Sequence, residues 1–173
     1  MERKGLIVIY TGHGKGKTTA SLGQAIRGLG QGLRVCVVQF IKGKWPTGEA
    51  KFFSEFKGPV EFHTMGTGFT WDEDREQTKA MAATAWNLAK EKILSRAYDM
   101  IVLDELTYLI KYELVSEQEI IDVLLDKPEC LHIIISGRDA SQRLIDTADL
   151  VSEISALKHP YVSGIKAQKG IEF

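Results

Sequence analysis

The sequence has no apolar stretch of 18 residues and so no candidate transmembrane helix, and its start runs almost directly into a β-favouring segment rather than through a signal peptide. The expected location is the cytoplasm, with no membrane partner. Cysteine is scarce: Cys36 and Cys130 are the only two. Each lies in or beside an apolar run that reads as a buried strand, and neither has a partner at metal-ligand spacing, so both are expected to be core residues in a reducing compartment. His13, His63, His132 and His159 are scattered with no His-Glu-x-x-His spacing, which argues against a tightly bound zinc. No Gly-x-Ser-x-Gly elbow is present. Neither sign of charge is in excess: 22 Lys and Arg against 23 Asp and Glu give a net charge of −1. A general nucleic-acid binder needs a basic surplus to neutralise phosphates, so that class is set aside, although a local basic pocket remains open. No repeat or low-complexity linker divides the 173 residues, and a chain of this length most simply makes one domain, 1–173.

What is present begins with the apolar run 6–9, followed by Tyr10-Thr11-Gly12-His13-Gly14-Lys15-Gly16-Lys17-Thr18-Thr19 and then a helical pattern. Glycines let backbone N–H groups turn inward around an anion, and the helix that follows aims its positive end there. Lys17 is placed to reach phosphate oxygens and Thr18 to hold magnesium. The stretch fits the Walker A template at Gly16, Lys17 and Thr18, but Thr11 occupies the template's first glycine position and Gly12 follows one place later. A Gly/Lys-rich segment can be a plain turn; the strand before and the helix after favour the phosphate loop.

Leu22, Ala25, Ile26 and Leu29 recur at helical spacing until Gly30 to Gly32 stop them. Residues 34–41 read as a strand covered on both faces, leading into a loop that contains Lys42 and Trp45. Ligands of open parallel sheets bind beyond the carboxyl ends of strands, so Lys42 and Trp45 are site candidates; a solvated turn with a packed tryptophan serves equally well. A short helix over 47–57 is expected to turn Phe52, Phe53 and Phe56 inward, with a brief strand over 60–63. In Gly66-Thr67-Gly68-Phe69-Thr70-Trp71 two glycines accompany two large aromatics, which from the residues alone read better as core plugs than as contacts. A long helix over 73–97 keeps Ala82, Ala85, Trp86, Ala89 and Ile93 on one face. It precedes an apolar strand ending in Asp104-Glu105, the Walker B pattern, in which a buried strand delivers an acid to a nucleotide-bound magnesium. Ser116-Glu117-Gln118-Glu119 has the form of a capping box, opening a helix with Ile120, Ile121, Leu124 and Leu125 inward. A buried strand over 131–136 ends near Arg138, for which phosphate binding and a surface ion pair are both open. A helix over 141–147, a strand over 150–154 and a tail with no clear period complete the chain. The expected fold class is α/β, a P-loop NTPase-like (RecA-like) domain with a mostly parallel, buried sheet flanked by helices.

These residues alone support a magnesium-dependent user of ATP or GTP. Longer strings carry more: Thr11 to Thr19 as quoted, Val38-Gln39-Phe40-Ile41-Lys42-Gly43, Gly66 to Trp71, Val102-Leu103-Asp104-Glu105-Leu106-Thr107-Tyr108, and Gly164-Ile165-Lys166-Ala167-Gln168-Lys169-Gly170-Ile171. Together, and in order over essentially the whole chain, they closely resemble the CobA/CobO/BtuR-type ATP:corrinoid adenosyltransferases. The resemblance implies transfer of the 5′-deoxyadenosyl group of ATP to cobalt of a corrinoid, with triphosphate released. It implies a nucleotide lying in reverse along the phosphate loop, with C5′ rather than the terminal phosphate directed at the attacking atom. Gly12, His13, Gly14, Lys15, Gly16, Lys17, Thr18 and Thr19 then form the nucleotide site, with Lys17 central to stabilising the leaving triphosphate. Thr18 with Glu105 or Asp104 holds Mg2+, Glu105 being favoured. Phe69 and Trp71 move from core to site, because aromatics at these positions in the family press on the lower face of the corrin and keep the axial base off cobalt. A reduced flavin or flavodoxin-like reductant and a homodimer are further expectations of the resemblance.

Two departures bound the carry-over. His13 stands where the family commonly has asparagine, altering one polar contact near the nucleotide. The sequence also starts only a few residues before its first strand, whereas relatives can carry an N-terminal helical extension over the partner subunit's corrinoid site, so the carry-over stops short of how that site is covered. Two other classes of function stay open on the sequence. One is a P-loop ATPase or phosphotransferase, and the other a non-catalytic corrinoid- or nucleotide-binding protein.

Overall fold

A computed structural model describes residues 4–41, 47–66 and 75–172. In chain order these form β1 (Ile7–Thr11), α1 (Lys17–Gly30), β2 (Val35–Gln39), α2 (Gly48–Glu55), β3 (Val60–Thr64), α3 (Arg75–Leu94) and β4 (Met100–Asp104). There follow α4 (Thr107–Lys111), α5 (Glu117–Leu125), β5 (His132–Ser136), α6 (Gln142–Thr147), β6 (Leu150–Glu153) and a 3-10 turn, Pro160–Ser163. The six strands pair in parallel in the order β3-β2-β4-β5-β1-β6. Strand β5 thus separates the phosphate-loop strand β1 from the acid-bearing strand β4.

The strands of the middle of the sheet are apolar on both faces because helices cover both. Period-2 alternation divides their side chains cleanly. Ile101 and Leu103 of β4, with Cys36 and Val38 of β2, join Trp86, Ala89 and Ile93 of α3 and Ile120 and Leu124 of α5 in one core. Met100 and Val102, with Val35 and Val37, join Leu22 and Ala25 of α1 on the other face. The inward stripe expected of α3 is buried as a unit, from Ala82 to Ile93.

Several expectations are corrected. Not every strand is buried: β6 and β3 are the sheet's edges and are largely open to solvent. Of the three phenylalanines near α2 only Phe53 is buried, while Phe52 and Phe56 are exposed and stack on each other with ring centroids 5.7 Å apart. Adjacent helical residues point about 100° apart, so Phe52 and Phe53 cannot share one face. Ser116 sits at the N-cap of α5 without making the side-chain bond of a capping box. Glu119 is engaged elsewhere, accepting from the Trp86 indole N–H at 3.0 Å and from Lys90 at 3.3 Å. Leu125 is exposed, and Val123 takes its place in the core. Cys130 is exposed rather than core; Cys36 is buried, and burial pushes its thiol up to about 12. No helix among the described residues is long and apolar enough to cross a membrane.

Candidate active site

The first strand runs two residues beyond its apolar stretch, to Thr11, and the chain then turns through residues 12–16 into α1. Two of the glycines there are required by geometry. Gly14 donates its N–H to the Ile154 carbonyl at 2.7 Å, and a side chain on Gly12 or Gly14 would meet that oxygen at 2.6 Å. Gly16 adopts φ 114° at the N-cap of α1, a conformation that side-chain-bearing residues rarely take, and the space beside it is open. The first turn of α1 holds no acidic residue, so its positive end is uncompensated and faces the cleft.

A cleft of about 710 Å³ opens over this turn, lined by residues 13–19 together with Glu105, Tyr108 and Arg138. Among the described residues singled out from the sequence, His13, Gly14, Lys15, Gly16, Lys17, Thr18, Thr19, Arg138 and Glu105 are thus brought together. Gly12 and Asp104 are not in the lining. Lys17 donates to the Gly14 carbonyl at 2.6 Å. Burial lowers its ammonium from the usual value, and the nearby Arg138 guanidinium lowers it further, while Glu105 and Asp104 act in the opposite sense. Two cations that repel each other at the mouth of a helix N-terminus form a receptor for a polyanion.

The two acids at the end of β4 differ sharply. Asp104 is fully buried and accepts from Gln39 Nε2 at 2.8 Å and from the Ser136 hydroxyl. Glu105 takes φ 66°, a left-handed conformation costing a non-glycine residue about 1–2 kcal/mol, and this turns the chain off the strand at the cleft wall. Its N–H donates to Ser136 Oγ at 3.2 Å, so one hydroxyl fixes both acids. The cleft's Thr18 hydroxyl and Glu105 carboxylate are hard oxygen donors of the kind magnesium takes alongside water and phosphate, and this donor set fits that ion.

A second hollow of about 350 Å³ adjoins the first and shares His13, Glu105, Tyr108 and Arg138 with it. Its own wall is Ile41 and the Tyr108–Tyr112 stack, whose rings lie 5.8 Å apart and nearly parallel. Asp139 sits here between the His13 ring, at 3.2 Å, and the Lys111 ammonium, at 2.7 Å, and the Lys111 bond holds its carboxyl below the usual range.

A model of the family described as ATP:corrinoid adenosyltransferase BtuR/CobO/CobP matches residues 3–173. The chain belongs to this family. It is 44% identical to a corrinoid adenosyltransferase of Sinorhizobium sp, an alignment covering 99% of this chain and 82% of that protein. It is 42% identical to one from Escherichia coli K12 and 43% identical to corrinoid adenosyltransferase CobA of Salmonella typhimurium LT2, each over 99% of this chain and 87% of the relative. Among solved structures, domain III of the Thermotoga maritima replication initiation protein DnaA aligns with 88% of this chain and 55% of its own, at 18% identity and a TM-score of 0.43.

Four residues singled out from the sequence, Lys42 and Trp45 by their place beyond a strand end and Phe69 and Trp71 through the adenosyltransferase resemblance, lie outside the described residues. The structure also adds cleft residues to which the adenosyltransferase strings gave no role: Tyr108 from α4, Glu49 from α2, and His159 and Glu172 from the tail. Glu172 pairs with Lys15 across 157 positions of chain. Nothing in local periodicity announces a contact of that span, although the quoted Gly164 to Ile171 string lies beside it.

Proposed function

We propose the following account of the ATP-dependent adenosyl transfer to a corrinoid that membership of this family supports. The triphosphate lies over residues 13–19, held by backbone N–H groups, by Lys17 and by the positive end of α1, with Lys15 and Thr19 at its edge. Thr18 and Glu105 hold Mg2+, which when bound screens the phosphate charges. Asp104, tied between Gln39 and Ser136, sets the direction of the strand end rather than meeting the ion itself. The observation that carries this reading is the opposition of Lys17 and Arg138 in a cleft over a helix N-terminus free of acids in its first turn.

The inventory suits this chemistry. Doubly reduced cobalt is a strong nucleophile, so the protein needs no nucleophile or general base of its own. Its tasks are to hold C5′ in line with cobalt and to stabilise the departing triphosphate. Phe69 and Trp71 keep the axial base away from cobalt, which eases reduction of Co(II) because no donor then points at the accepting orbital. Lys42 and Trp45 contribute to nucleotide binding. A reduced flavin or flavodoxin-like protein supplies the electron in a transient encounter. The chain works as one domain over 1–173, in the cytoplasm, as a homodimer.

The test is anaerobic mixing of the protein with magnesium-ATP and chemically reduced Co(I) corrinoid, followed through the cobalt spectrum. The expected result is conversion to the cobalt–carbon spectrum, lost in Lys17→Ala. A wild-type protein that leaves the Co(I) spectrum unchanged would overturn the transferase reading in favour of a binding role.

A further inference from the structure

Four residues border both hollows: His13, Glu105, Tyr108 and Arg138. The larger hollow presents Lys17 and Arg138 over a helix N-terminus, which suits phosphates. The smaller has the stacked Tyr108 and Tyr112 and the apolar Ile41 in its wall, which suits a nucleoside, and about 350 Å³ is ample for one. With triphosphate in one and nucleoside in the other, the C5′–O bond that must break lies at their boundary.

The four boundary residues differ in what they can offer there. Glu105 is anionic and serves the metal in the account above. Tyr108 is neutral, its hydroxyl raised in pKa by burial and by Glu105. His13 faces Asp139 at 3.2 Å. Arg138 is the cation that remains: among the described residues it makes no hydrogen bond or ion pair, whereas Lys15 is paired with Glu172 and Lys111 with Asp139. Its placement is enforced by the residue before it. Gly137 has φ 150°, and a side chain there would meet Thr107 Oγ1 at 2.0 Å, so the chain leaves β5 hard against the start of α4.

We infer that Arg138 is a catalytic residue for adenosyl transfer, its guanidinium donating to the α-phosphate and bridging oxygen as the C5′–O bond breaks. This rests on the transferase reading above. In the step, the cobalt electron pair forms the Co–C5′ bond and the C5′–O pair departs with the oxygen. Cobalt goes formally from Co(I) to Co(III), and no proton moves. The α-phosphate changes from a singly charged diester to a terminal phosphate that gains one negative charge. A cation at that point therefore binds the transition state and the triphosphate product more strongly than it binds ATP, which is the condition for raising kcat.

The experiment compares wild type, Arg138→Ala and Arg138→Lys with magnesium-ATP and chemically reduced Co(I) corrinoid, alongside binding of inorganic tripolyphosphate to each protein. For Arg138→Ala kcat is expected to fall roughly 100-fold, the usual order for loss of one donor to a developing oxyanion, with KM for ATP within about threefold. Tripolyphosphate affinity should fall about tenfold or more, and Arg138→Lys should restore only part of both, since a point charge replaces a fork. An unchanged kcat, or a raised KM with kcat and tripolyphosphate affinity intact, would overturn the assignment. If wild type itself formed no cobalt–carbon bond, the transferase reading would fall and this inference with it.

Discussion

The buried carboxylate of Asp104 accepts a hydrogen bond from Gln39 Nε2 at 2.8 Å, across the β2–β4 ladder where the two residues are register partners. With Ser136 on its other side, Asp104 is held in the core, while its neighbour Glu105 turns to the cleft. The two acids should therefore fail differently. Glu105→Gln should raise the magnesium concentration needed for half-maximal adenosylation several-fold with the melting temperature nearly unchanged. Asp104→Asn should destabilise the fold by about 1–3 kcal/mol by disturbing a buried hydrogen-bonded pair. Magnesium titrations and thermal melts on both variants separate these outcomes; an unchanged magnesium dependence in Glu105→Gln would remove it as the metal ligand.

Among the described residues Lys17 bonds only a loop carbonyl, that of Gly14, and burial already disfavours its charged form. Its charge is thus a burden to the protein alone and useful only once an anion arrives. Lys17→Ala is expected to reduce adenosylation at least 100-fold, as for other losses of transition-state charge stabilisation, while leaving thermal stability within about 0.5 kcal/mol. A large drop in melting temperature would make Lys17 structural instead.

The far edge of the sheet offers a pH test unconnected with the cleft. A hydrogen bond from Lys92 at 2.8 Å, with Tyr98 and His63 also facing it, lowers the Glu61 carboxyl from 4.5 to about 2. A depressed folded pKa stabilises the protein above the unfolded value, and the contribution disappears as pH falls from about 4.5 towards 2. Because Glu61 is nearly half exposed, solvent screening keeps this below about 1 kcal/mol. Glu61→Gln should be less stable than wild type at pH 7, and the gap should close over that acid window in paired urea melts. A gap independent of pH would show that the ion pair contributes nothing.

Trp71→Ala discriminates between a role at cobalt and a role in folding. Removal of the axial base matters only when Co(II) must be reduced, so adenosylation from Co(II) and a reductant should suffer far more than adenosylation from chemically supplied Co(I). Equal losses by both routes would make Trp71 a structural residue.

The sequence disclosed those features whose physics is local. The run 6–9, the glycines of residues 12–16 and the α3 stripe from Ala82 to Ile93 announce themselves by spacing, and the parallel sheet follows from buried strands alternating with helices. What it hid depends on distant partners. Ser116 has the pattern of a capping box, yet Glu119 is taken by Trp86 and Lys90 from α3. Helix α4, five residues of Thr-Tyr-Leu-Ile-Lys, is too short to show a period and is rich in β-favouring types, yet it carries Tyr108 into the cleft. Glu172 reaches Lys15 only because Ile154 anchors the chain beside the phosphate loop before the tail departs. The distinction between Asp104 and Glu105 came from the left-handed turn at Glu105, which a β-strand pattern followed by two acids does not reveal.

Adenosyl transfer requires that ATP be cut at C5′ rather than between its phosphates. The most direct test is to run a single anaerobic turnover with limiting Co(I) corrinoid and identify the phosphorus products by 31P NMR. One intact triphosphate should form for each cobalt–carbon bond, with ATP stable when the corrinoid is omitted. ADP and inorganic phosphate as the only products, with no cobalt–carbon bond formed, would contradict the claim and make the protein a hydrolase on an adenosyltransferase scaffold.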